Sequence, residues 1–114
     1  MPPLDVESLN QTISPDDALY PVYARTHGGG AYFTSALTQL DELDGLVRLV
    51  AGRELAEHCA IVDYACHFGR LARCLRAWVP EARVVAADLS RGRSTSARGP
   101  SAAGRCTSAG ISRR

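Results

Sequence analysis

Two aspartates, Asp63 and Asp88, each close a short apolar run. Between them the chain reads Tyr64-Ala65-Cys66-His67-Phe68-Gly69, then an amphipathic run ended by Pro80, then Arg83-Val84-Val85-Ala86-Ala87. Small residues in such a turn let a ligand approach the backbone. Backbone N–H groups at the start of a helix favour an anionic group. A carboxylate 19 residues beyond Gly69, at the end of a strand, suits the acceptor of two ribose hydroxyls. The chemistry these residues suggest is the binding of an adenosine-containing cofactor.

The elements that must position them follow from periodicity. Ala60 to Val62 and Arg83 to Ala87 predict two short buried strands. Leu71, Ala72, Leu75, Trp78 and Val79 lie along one face of a connecting helix. The order strand, turn, helix, strand is a βαβ unit, so the fold class is α/β. An acid ending each strand then puts both acids on one edge of a parallel sheet, where ligands of open α/β sheets bind. Arg70, Arg73 and Arg76 recur every three residues on another face of the helix, which reads as a solvated face.

Upstream, a helical pattern starts at Tyr32. Phe33, Leu37, Leu40, Val47 and Val50 form its apolar stripe, widened by Leu43 and Leu46. Asp41, Glu42, Asp44 and Arg48 are expected on the opposite side, with Gly52 as the stop. Ser14-Pro15-Asp16-Asp17 predicts a short helix capped by Ser14 and ended before Pro21. Gly28 to Gly30 reads as a flexible turn, since no Lys follows to make a phosphate loop. Met1 to Asn10 is polar, begins with prolines and is expected to fray.

The chain divides into a polar segment over 1–30, the α/β unit over 31–90 and a tail over 91–114. Charge is spread unevenly. The tail holds six Arg and no acid, whereas residues 1–90 hold seven Arg and all twelve acids. The tail has one large aliphatic residue, Ile111, and is expected to be disordered. Lys is absent throughout, which reads as the mark of a GC-rich genome. Cys59, Cys66, Cys74 and Cys106 form no Cys-x-x-Cys pair. With no secretory leader in the first ten residues, a reducing cytoplasm with free thiols is the expectation. No apolar run approaches the length of a membrane span.

Two cofactor families use this geometry. The dinucleotide turn requires glycine where this chain has Ala65, His67 and Arg70, which disfavours a dinucleotide-dependent oxidoreductase. The stretch Ile61-Val62-Asp63-Tyr64-Ala65-Cys66-His67-Phe68-Gly69-Arg70 resembles the first motif of the class I S-adenosylmethionine-dependent methyltransferases, in which an acid precedes a Gly-x-Gly-x-Gly turn. Val84-Val85-Ala86-Ala87-Asp88-Leu89-Ser90 resembles the second strand of that family with its ribose-binding acid. The helix from Tyr32-Phe33 resembles the segment leading into the first motif.

The resemblance covers roughly residues 30–90 and implies the N-terminal portion of a Rossmann-like methyltransferase fold, helix–strand–helix–strand. It implies S-adenosyl-L-methionine as cofactor. Asp63 would position its methionine end, Ala65, Cys66, His67 and Gly69 would form the floor, and Asp88 would hold the ribose. Ala65 and His67 depart from the family by standing where glycine is usual. No residue is assigned to catalysis, and the methyl acceptor is unidentified.

Only two strands are convincing, against the seven the resemblance implies. A one-base shift of frame across Ser94 to Arg98 permits Val-Asp-Phe-Cys-Ala. The expectation is a chain truncated or frameshifted near Ser90, and so an inactive fragment. The alternatives are a non-catalytic nucleotide-binding or regulatory module and a basic-tailed nucleic-acid-binding protein, the second disfavoured. His58, Cys59, Cys66 and His67 are zinc-ligand types in no common zinc spacing, so no metal is expected. Strand-end capping is the structural alternative for Asp63 and Asp88, and a buried apolar thiol is that for Cys66 and Cys74.

Overall fold

Asp17 starts the first helix of the computed structural model, which describes residues 4–58, 60–79 and 84–89. Helix α1 spans Leu19–His27, later than the Ser14 cap predicts. The Asp17 carboxylate accepts from the N–H groups of Leu19 and Tyr20, at 3.0 and 3.2 Å. Pro21, expected as a stop, instead lies in the first turn, where a missing N–H costs no intrahelical bond. Ser14 closes a turn through its carbonyl, which accepts from the Asp17 N–H at 3.1 Å.

Gly28, at φ 91°, ends α1, and helix α2 spans Ala31–Ala51. Gly52 ends it in the left-handed conformation, its N–H bonding the Arg48 carbonyl at 2.9 Å, as the periodicity predicts. Tyr32, Phe33, Ala36 and Leu40 are buried. Leu46, Leu49 and Val50 are exposed, so the buried stripe stops short of the expected Leu46 and Val50.

Asp44, expected on the solvent side, is 2% exposed. One of its oxygens accepts from the Leu55 N–H at 2.9 Å and the other pairs with Arg48 at 3.1 Å. Arg48 also reaches Glu54 at 2.8 Å. These bonds fold the 3-10 turn Leu55–Glu57 back onto α2.

Strand β1, Ile61–Tyr64, pairs in parallel with strand β2, Val84–Ala87. The register sets Ile61 opposite Val84 and Asp63 opposite Ala86. Helix α3, Ala72–Trp78, lies between them in the chain. This is a small mixed helix–strand structure with a two-stranded parallel sheet. Leu9, Tyr32, Phe33, Ala36, Leu40, Cys74 and Leu75 form the core, with Ile61 and Val84 packed against it. The other sheet face, with Val62, Tyr64 and Val85, is exposed. Among the described residues no helix is long and apolar enough to cross a membrane. The tail over 91–114, and with it the expected disorder and frame change, lies outside the described residues.

Two expectations are corrected by one cluster. Val6 packs against the core and Leu9 is buried in it, so residues 6–9 are anchored rather than frayed. Nor are Arg70 and Arg73 a solvated stripe. Arg73 Nε bonds the Gly69 carbonyl, and its two terminal nitrogens bond the carbonyls of Asn10, Thr12 and Phe68, at 2.8–3.2 Å. Its guanidinium also lies 5.5 Å from the ring centres of both Tyr32 and Phe33. Arg70 bonds Gln39 and Ser35 and lies over Tyr23. Tyr32 in turn donates to Asp17 at 2.8 Å. Burial and that bond hold the phenol protonated far above its ordinary range.

Arg73→Met keeps the stem and removes the donors. It should lower unfolding stability in urea by about 2–3 kcal/mol and open the backbone near Asn10 to proteases, both measured on the full chain.

Candidate functional site

The turn after β1 carries three left-handed residues in alternation: Ala65 at φ 58°, His67 at φ 50° and Gly69 at φ 84°. Only Gly69 is a residue type for which this conformation is unstrained. The other two are the positions where the Gly-x-Gly-x-Gly pattern expects glycine. At all three positions the backbone takes a conformation that favours glycine, and two of the three residues are not glycine. Both Ala65 and His67 are exposed, so the His67 ring turns outward instead of filling the interior of the turn.

Among the described residues three bonds from its own N–H groups hold the turn, beside those that Arg73 makes to the Phe68 and Gly69 carbonyls. Cys66 N–H donates to the Ala87 carbonyl at 3.0 Å, continuing the link to β2. His67 N–H donates to Asp88 Oδ2 at 3.0 Å. Gly69 N–H donates to the Cys66 carbonyl at 2.9 Å. Asp88 thus reaches across from the end of β2 to the turn that follows β1.

Asp63 is the third residue of β1 rather than the residue just past its end. It alternates onto the same sheet face as Ile61, the face toward the core. Its Oδ2 is buried and has no hydrogen-bond partner among the described residues. Burial raises its pKa, against the opposing pull of His67 and Arg76. Arg76, missing from the sequence-based site, is half-buried, and burial lowers its pKa, against the opposing effects of Cys66 and Asp63. Its three-residue spacing from Arg73 hid it in an apparent surface stripe.

Neither described cysteine is poised as a nucleophile. Burial, with Asp63 and Asp88, raises the Cys66 pKa. Burial pushes the Cys74 thiol up to about 11, and it lies 3.6 Å from the Arg70 carbonyl. Both are protonated at neutral pH. Among the described residues no three His, Cys, Asp or Glu side chains come together to hold a metal. Cys59 of the zinc reading lies outside the described residues. The structure therefore brings Ala65, Cys66, His67, Gly69 and Asp88 into one bonded unit, with Asp63 on the adjoining strand.

A carboxyl whose pKa is raised by folding binds its proton more tightly in the folded state. Stability then falls as pH rises from the ordinary value of 3.8 through the raised one. Asp63→Asn should be more stable than the parent at pH 7, with the gap closing toward pH 3, in urea unfolding followed across pH. Comparison of the chain with protein-family models, with curated proteins and with solved structures finds no match in any of the three.

Proposed function

We propose that this α/β unit is the cofactor-binding part of an S-adenosylmethionine-dependent methyltransferase, with a Rossmann-like arrangement. The observation that carries the reading is the alternating left-handed backbone at Ala65, His67 and Gly69. It lies where two parallel strands end, beside an acid on one and an acid just past the other. Left-handed backbone at alternate positions is what glycine accommodates without strain, and here two of the three residues are not glycine.

The residues fit the group on one further count. Asp63 has a buried oxygen with no donor among the described residues, and a buried acceptor left unpaired is costly. The ammonium of the cofactor's methionine end would supply that donor. The turn would lie beneath the cofactor, and Asp88 would accept from ribose hydroxyls. The cofactor, when bound, supplies an electrophilic methyl group for in-line displacement by the acceptor. The chain's own contribution is orientation, which can account for much of such a reaction's acceleration.

The bond from His67 N–H to Asp88 supports a second reading, a nucleotide-binding module without catalysis, in which Asp88 serves the turn. The two readings share a ligand class and differ in methyl transfer to an acceptor.

Titration calorimetry of the full chain with S-adenosylhomocysteine should show saturable binding, and Asp88→Ala should abolish it. Binding of NADH in its place would overturn the assignment. Equal affinity in Asp88→Ala would remove Asp88 from the site.

A further inference from the structure

We propose that Asp88 is a positioning residue that clamps the turn over residues 65–69 in its left-handed shape. The turn contains two non-glycine residues in a conformation that L side chains disfavour, Ala65 and His67. Both side chains are exposed, so packing does not hold them there. Among the described residues a pair of consecutive bonds holds the turn to the sheet. The Ala87 carbonyl takes the Cys66 N–H, and the Asp88 carboxylate takes the His67 N–H, each at 3.0 Å. The second has a charged acceptor, which makes it the stronger kind, and it falls on the residue with φ 50°. The sequence separation is 21 residues, so β2 must be in register with β1 before the clamp can form.

On this view the acid that ends β2 and the missing glycine are linked. A glycine at position 67 would adopt the conformation without help, whereas a histidine needs the carboxylate. Only the effect on cofactor affinity rests on the methyltransferase reading. The clamp itself can be measured without any ligand.

The test is amide hydrogen exchange on the full chain. In Asp88→Ala, the amides of Cys66, His67 and Gly69 should exchange about tenfold faster or more, while the Leu40 amide in α2 keeps its protection. Asp88→Asn retains a side-chain oxygen and should restore most of the protection. His67→Gly alone should slow exchange of Cys66 and Gly69, and should return their protection in the Asp88→Ala background. Unchanged turn amides in Asp88→Ala would overturn the clamp. So would His67→Gly without effect on Cys66 and Gly69 in the parent background, an outcome that stands even if Asp88→Ala fails to fold. Calorimetry of the same variants with S-adenosylhomocysteine separates the two proposals. The exchange pattern with no binding by any variant removes the cofactor and supports the clamp.

Discussion

Arg73 is the constraint on which the rest of the structure depends. Its guanidinium joins three pieces of chain that are far apart in sequence: the N-terminal segment through Asn10 and Thr12, the turn through Phe68 and Gly69, and α2 through the rings of Tyr32 and Phe33. Arginine suits this place because its donors form a rigid fork and its charge does not titrate away. A lysine would give a point charge without the stacking plane. The aromatic rings under it are themselves set edge to face, Tyr32 against Tyr20, Tyr23 and Phe33. One cation therefore serves as both core packing and hydrogen-bond hub.

The candidate turn is consequently held from two sides. Arg73 bonds carbonyls at its far end, Phe68 and Gly69, and β2 bonds amides at its near end, Cys66 and His67. Donors and acceptors of the turn are used in opposite directions. This division lets three left-handed residues coexist in five positions. Asp63 lies outside both sets of bonds, with one carboxyl oxygen buried and unpaired among the described residues.

Much of the scaffold was legible because it is local. Gly52 stops α2 through its own backbone, and the apolar runs at 61–62 and 84–87 are too short and too β-branched for helix. What misled was long-range. Asp44 looks like a solvent-side acid until Leu55, eleven residues on, presents an N–H to it. Arg73 looks like one of a surface stripe until Asn10 and Thr12 arrive from more than sixty residues away. Pro21 looked like a stop because the cap was placed at Ser14, one turn before Asp17. In the site, the positions of the turn could be read from the pattern. That the backbone would keep a glycine shape at Ala65 and His67 could not, because the bond that holds it comes from Asp88.

The bare face of the two-stranded sheet has a consequence for how the protein behaves in solution. Val62 is 63% exposed, Tyr64 71% and Val85 55%, and the register sets Val62 beside Val85, so water meets a continuous oily stripe. Sulfate and phosphate, excluded from such surfaces, strengthen the tendency to hide them. Among the described residues this stripe is the surface whose burial such salts would favour most directly.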